Sequence, residues 1–442
     1  MDEPTAPAPR LTRRTLLGSG GAVILAAGTG FGGLTLYRSR HVDVPLYSET
    51  VALEGAGRSV LVAPGRAADV VDGTRVLRSA REAADLVAQE RAWLATGASW
   101  TTAGPWSSLA RDALLDLRAL TLPDGIPVAG WSTGWRYVWP RDAAHHEAAL
   151  AVSGHADEAL PALRFLSRVQ DPSGWFEARY LPDGSGPPDG RTRQLDGTGW
   201  AMWATQQVAQ AMPPDAARRL VTELRPMLDR SVGLIRTLVD NRAGLPAPSP
   251  DYWEVAEQEL TLGTVAPLAA GLESAAWAYG LLGDVGAGRA AALAAADLRS
   301  VVEQGFGAGA YPRHLGGDQP DAAVAFLAPP YAASATEPVR TALGLAERRL
   351  ERPGGGLAPG AGWKEDGISW TPETALFALA HAHTGDRAAA ERILGWLAAH
   401  RTSAGSLPEK VLHDGSPAAV APLGWTASLV LLAVAALQPP RG

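Results

Sequence analysis

The chain has 442 residues, no cysteine, and 39 basic against 46 acidic side chains, a formal net charge of −7. The missing cysteine excludes disulfides, thiolate nucleophiles and cysteine-built zinc sites, and the acidic balance disfavours a nucleic-acid partner, whose phosphates select a basic face. A hydrophobic fraction of 46% is ample for one large core, and 15 tryptophans against 6 phenylalanines supply flat indole faces that suit sugar rings as well as cores.

Residues 1–40 come first. Arg13 and Arg14 stand directly before an apolar stretch from Leu16 to Tyr37, which reads as a twin-arginine export signal or as an N-terminal membrane anchor of spanning length, with the arginines inside under either reading. Ala26-Ala27-Gly28 is a loose small-residue cleavage site. Gly28, Gly30 and Gly33 satisfy G-x-G-x-x-G, but no strand precedes them and no βαβ unit surrounds them, so they read as signal-segment glycines rather than a nucleotide site. Residues 41–104 form a lead-in. Its short β-branched runs, SVLVAP and DVVDG, predict extended chain to about residue 75, with a helix after residue 77.

From there apolar residues recur at three- and four-residue spacing, punctuated by Gly, Pro and Asp. The run LARDALLDLRAL places Leu109, Ala113, Leu117 and Leu120 on one stripe with Ser108 as N-cap. Similar stripes predict helices near 141–152, 156–170, 197–211, 214–239, 263–281, 286–303, 335–350, 371–384, 387–401 and 422–437. About a dozen helices with few strands make residues 105–442 an all-α domain. Periodicity alone leaves a closed ring and a solenoid open, and the lack of a fixed repeat weakens the solenoid.

The chemical motifs fall between these helices. In WPRD, Pro140 suits a helix start and Asp142 its dipole; Arg141 belongs at the other helix end, and a forked cation beside a carboxylate can hold two sugar hydroxyls. Glu254 follows Trp253 in PDYWEV. The indole and nearby Asp251 disfavour a charged carboxyl there, as an acid catalyst requires, while Glu257 and Glu259 make an acidic surface loop the plain alternative. Glu409 in GSLPEK completes a capping-box pattern with Ser406, but Asp414-Gly415 and Pro417 leave no room for a helix after it, which favours a functional carboxyl on a loop. Gln194 and Asp196 head a helix, Trp425 belongs to an apolar face, and Thr371-Pro372-Glu373 is a good helix start. His145 and His146 are adjacent and face different ways, a poor metal pair. Two isolated carboxyls suit direct displacement at a glycosidic bond, one protonating the departing oxygen and the other activating water.

In order along the chain, YVWPRDAAHH, RQLDGTGWAMW, PDYWE, GGGLAP, ISWTPETALFALA, GSLPE and GWTASLVLL resemble the motifs of glycoside hydrolase family 15, the glucoamylase family, over roughly residues 105–437. The resemblance implies six helical hairpins closed into an (α/α)6 double ring, preceded by a short extended lead-in where bacterial members often carry a β-sandwich. It implies Glu254 as general acid, Glu409 as general base, Arg141 and Asp142 as the grip on the non-reducing terminal glucose, and Trp139, Gln194, Asp196, Trp253 and Trp425 around it. The implied reaction is exo-acting and inverting, releasing β-glucose from α-1,4 and/or α-1,6 glucosides, with the two carboxyls about 6.5–9.5 Å apart and no metal or organic cofactor. Trehalose and isomaltose or dextran are alternative substrates. An inactive, membrane-tethered sugar-binding scaffold is the alternative outside the enzymes, and two opposed acids, which binding alone does not need, argue against it. Val255 departs from the pattern, because fungal members carry a second acid there that contacts the next sugar.

Overall fold

A computed structural model describes residues 42–240 and 244–439. The export or anchor segment and its glycine motif lie outside the described residues. Among the described residues no helix is long and apolar enough to cross a membrane.

The lead-in folds as an antiparallel hairpin, β1 (Thr50–Gly55) and β2 (Arg58–Val62), followed by α1 (Ala83–Thr96). SVLVAP supplies β2, whereas DVVDG forms no strand and contributes a single bridge, Val70 to Leu77. Then come α2 (Ser107–Leu120), α3 (Pro140–Val152), α4 (Leu160–Val169), α5 (Asp196–Gln210), α6 (Pro214–Asp240), α7 (Leu262–Leu281), α8 (Val285–Phe306) and α9 (Glu337–Leu350). A short sheet of β3 (Ser369–Trp370), β4 (Lys410–Val411) and β5 (Pro417–Ala418) is interleaved with α10 (Thr371–Thr384), α11 (Arg387–Ala399) and α12 (Gly424–Ala436).

Two kinds of helix alternate. α3, α5, α7, α10 and α12 are rich in Ala, Gly and Leu and are buried on all sides, which requires a sequence without a polar face. α12 packs on α3, α3 on α5, α5 on α7, and α10 on α12. The gap between α7 and α10 is filled by a fully buried 3-10 helix, Ala322–Leu327, that touches both. Six inner members therefore close a ring. The outer members α2, α4, α6, α8, α9 and α11 each turn a buried stripe inward and a polar face outward. This is the expected (α/α)6 double ring. The sixth inner member escaped the periodicity because it is a short element between Pro320 and the pair Pro329–Pro330.

Local corrections have local causes. Ser108 is not the cap of α2. The helix begins at Ser107, whose backbone N–H and hydroxyl both bond Gly104 O, at 3.2 and 2.9 Å, and Trp106 occupies the cap position with no side-chain cap bond. The stripe at 156–170 splits into a 3-10 turn, Ala156–Ala159, and α4.

The inner helices approach closely because they carry glycine at their crossings. A Cβ on Gly199 of α5 would lie 2.1 Å from Pro267 O of α7, and one on Gly271 would lie 2.7 Å from Gly199 Cα. Helix backbone meets helix backbone there, with no flexible side chain to give way. Gly199→Ala is expected to cost about 1–3 kcal/mol of stability, measured by chemical denaturation against a Gly233→Ala control at a position with nothing within 4 Å.

Candidate active site

The ring gathers the starts of its inner members at one end. Arg141 and Asp142 occupy the first turn of α3, Asp196 the first residue of α5, Glu373 the first turn of α10, and Trp425 the first turn of α12. Positive helix ends favour carboxylates there. Arg141 stands among them, with Nη2 2.8 Å from Asp142 Oδ2 and 3.7 Å from Glu254 Oε1, and its guanidinium lies 4.5 Å over the Trp425 ring. It is 6% exposed, and its Nε and Nη1 have no hydrogen-bond partner among the described residues. Pro140 is indeed a helix-start residue.

Glu254 sits in the left-handed region, at φ 55°, which an L-residue adopts at a cost and which recurs at functional sites. A tight turn imposes it: Glu254 N–H bonds Asp251 O at 2.8 Å, and Trp253 N–H bonds Asp251 Oδ1 at 3.0 Å. Asp251 is fixed by Arg313, whose Nη2 lies 2.9 Å from Asp251 Oδ1 and 2.6 Å from Glu257 Oε1, and whose Nη1 lies 3.2 Å from Asp321 Oδ2. Glu257 is thus part of a buried ion-pair network and not a surface acid. The expected apolar setting of Glu254 does not hold. The Trp253 ring faces Arg313, 3.7 Å from its guanidinium, while the Glu254 carboxylate faces Arg141 and accepts from Arg191 Nη1.

Glu409 lies on the irregular run before β4 and is 5% exposed. The capping-box alternative fails. No helix follows, and Ser406 Oγ instead donates to Asp116 Oδ1 at 2.7 Å, the carboxylate that a buried Arg75 holds at 2.5 Å. The lead-in braces this loop: Tyr47 N–H bonds Ala419 O at 2.8 Å, Ser48 Oγ bonds Ala421 O at 2.6 Å, and Thr402 Oγ1 bonds Glu49 O at 2.6 Å. Lys410 Nζ is 3.4 Å from Glu409 Oε2 and 4.4 Å over the Trp370 ring. Each of the two glutamates therefore carries its own exposed-side cation, Arg191 for Glu254 and Lys410 for Glu409.

Aromatic rings line the remaining walls. Trp253, Trp363 and Trp370 meet edge to face, at 4.8 and 5.4 Å, and Tyr252 and His145 meet Trp425 at 6.2 and 5.8 Å. The indole N–H groups of Trp139, Trp253, Trp363, Trp370 and Trp425 are buried without an acceptor among the described residues. Buried donors normally find partners, so a wall of them is suited to a ligand rich in hydroxyls. Gln194 and Asp196 are both buried, the latter 3.2 Å from Trp200 Nε1. His145 meets Arg141 O and the Tyr331 hydroxyl, while His146 meets Thr121. Burial pushes both rings down to about 3, so they are neutral.

The chain matches no protein-family model and no curated protein sequence. Solved structures are more informative. A bacterial glucoamylase complexed with acarbose superposes with a TM-score of 0.66 at 15% identity, covering 81% of this chain and 59% of that one. A structure described as a wild-type glycosidase gives 0.64 at 22% identity, covering 74% and 96%, and the glucoamylase of Saccharomycopsis fibuligera gives 0.60 at 15%, covering 74% and 93%. The chain has the glucoamylase fold. Of the nine residues singled out from the sequence, six, Arg141, Asp142, Asp196, Trp253, Glu254 and Trp425, are tied to one another or to Arg313 by contacts or charge interactions, and Trp139 lies under the guanidinium of Arg179.

Sequence reasoning missed three participants. Glu373, read as a helix start, is 3% exposed, has one carboxyl oxygen without a partner, and lies within electrostatic reach of Arg141, Glu409 and Asp321. Asp321 and Arg191 carry no motif of their own. Burial is the main cause that pushes Glu373 up to about 8, Asp196 to about 7 and Asp321 to about 6. These are carboxyls of the site that titrate near neutrality.

The consequence for stability has a definite sign. Between the ordinary carboxyl range and about 8, the folded chain holds a proton on Glu373 that the unfolded chain has lost, so this contribution is present in acid and disappears as pH rises through about 8. Asp196 and Asp321 act in the same direction at lower pH. Glu373→Gln, which never ionises, is expected to show a shallower loss of melting temperature than wild type between the ordinary carboxyl range and about pH 8. Parallel curves would show that Glu373 is already charged.

Proposed function

We propose that the protein is a glycoside hydrolase acting on the non-reducing ends of α-glucosides with inversion. The observation that carries this reading is that separate loops bring Glu254 and Glu409 to one buried charge cluster, centred on Arg141 and Asp142, whose walls present unsatisfied hydrogen-bond donors. Arg141 and Asp142 hold the hydroxyls of the terminal sugar. Glu254 gives a proton to the glycosidic oxygen as the bond from that oxygen to the anomeric carbon breaks. Glu409, the charged base, takes a proton from the water that attacks the opposite face of that carbon. Lys410 stands beside Glu409 at 3.4 Å, and the indoles of Trp253 and Trp363 cover the apolar faces of the ring.

The structural neighbours support the substrate class: one glucoamylase is complexed with acarbose and one glycosidase variant with glucose. Val255, where fungal glucoamylases have an acid, is 41% exposed beside Glu254, so the next sugar loses a polar contact and the linkage preference is set elsewhere. We also read residues 1–40 as directing export across the cytoplasmic membrane, which places the activity on its outer side.

The test is glucose release from maltose, isomaltose, trehalose, starch and dextran by wild type, Glu254→Gln and Glu409→Gln. Each variant is expected to lose about 10²–10⁴-fold in kcat on the best substrate while glucose still binds. A variant retaining full activity removes its residue from the mechanism, and binding without release by wild type points to a sugar-binding scaffold.

A further inference from the structure

The pairing of Arg191 with Glu254 sets a condition on the substrate, given the reading of Glu254 as general acid. An acid catalyst must carry a proton when the leaving oxygen needs it. A carboxylate held between Arg141 and Arg191 is held as an ion. Arg141 is buried and committed to Asp142, so of these two cations Arg191 is the one that can withdraw.

Arg191 is placed to move. It belongs to the run LPDGSGPPDGRTR, which contains no helix or strand, and its side chain is 27% exposed. Its other contact is Asp189, whose Oδ2 lies 3.2 Å from Arg191 Nε and 2.5 Å from Arg179 Nη2. Arg179 is fixed: it is 8% exposed, donates to Gly134 O at 2.9 Å, and lies over the rings of Tyr137 and Trp139 at 4.5 and 5.0 Å. Asp189 therefore has a permanent cation without Arg191. The guanidinium of Arg191 is free to exchange Glu254 for a ligand arriving from the solvent side, where the leaving group stands.

A neutral leaving group offers hydroxyls, which compete poorly with a carboxylate for a guanidinium. An anionic one offers a bidentate, charge-assisted partner. It would draw Arg191 off Glu254 and set a like charge near the acid, and both changes favour the protonated form. We propose that Arg191 reads the leaving group and that the preferred substrates are α-glucosides whose aglycone carries a carboxylate or phosphate close to the scissile bond.

A matched set of α-glucosides separates the possibilities: 2-O-glucosyl glycerol, 2-O-glucosyl glycerate and 2-O-glucosyl glycerol 3-phosphate, which differ in one group. Wild type should hydrolyse at least one anionic member with kcat/KM about tenfold or more above the neutral one, and the carboxylate and phosphate arms name the group. In Arg191→Gln the preference should collapse from both directions, the anionic substrate slowing and the neutral one speeding up as Glu254 is released; Arg191→Lys should keep part of it. Equal or better hydrolysis of the neutral glucoside by wild type overturns the proposal and leaves the assignment of Glu254 standing, provided Glu254→Gln is inactive on it. Release from none of the three, while maltose, isomaltose or trehalose is cleaved, overturns the proposal alone; release from none of these six overturns the hydrolase reading with it.

Discussion

A single buried guanidinium holds the functional end of this molecule together. Arg141 touches Asp142 and Glu254, lies on Trp425, and acts electrostatically on Asp196 and Glu373. Without it, several buried carboxyls would face one another in a low-dielectric site, which proteins avoid by protonating or separating them. With it they coexist, and two of the guanidinium nitrogens remain available to a ligand. Asp196, Asp321 and Glu373 show what is left of the problem, since burial still pushes all three carboxyls toward neutrality.

The double ring makes that concentration of charge possible. Its inner helices bury Ala and Gly on every side and start at one end, so backbone N–H groups, first-turn carboxylates and the loops between outer and inner members meet there. Rigidity is supplied from behind. Arg313 binds Asp251, Glu257 and Asp321 and so imposes the turn that strains Glu254, while the lead-in hairpin and the Arg75–Asp116 pair fix the loop of Glu409. Such a scaffold positions carboxyls that stand on loops, as the proposed chemistry needs.

Much of this was legible in the sequence, for physical reasons that can be stated. Helix stripes survive because each outer helix has one buried face; the stripe at 214–239 is α6, Pro214–Asp240, to within one residue. Glu409 stood out because its surroundings could not form the helix that its capping pattern asks for, and Arg141 because a cation was out of place at a helix start. Partners were not legible. Arg191 and Glu254 are 63 residues apart and meet because the loops before α5 and α7 are neighbours in the ring, and nothing local to PDYWEV reveals that its glutamate faces arginines while its tryptophan faces Arg313. Glu373 was hidden by its own good behaviour as a first-turn residue. The sixth inner member was hidden by its shortness.

If Glu254 and Glu409 work on opposite faces of one sugar, the anomer released records it. Proton NMR during the first minutes of hydrolysis of the best α-glucoside should show β-glucose appearing first, with the α-anomer growing in later at the rate of spontaneous mutarotation. Initial formation of α-glucose would mean a covalent glycosyl intermediate, and the roles assigned to both glutamates would be wrong.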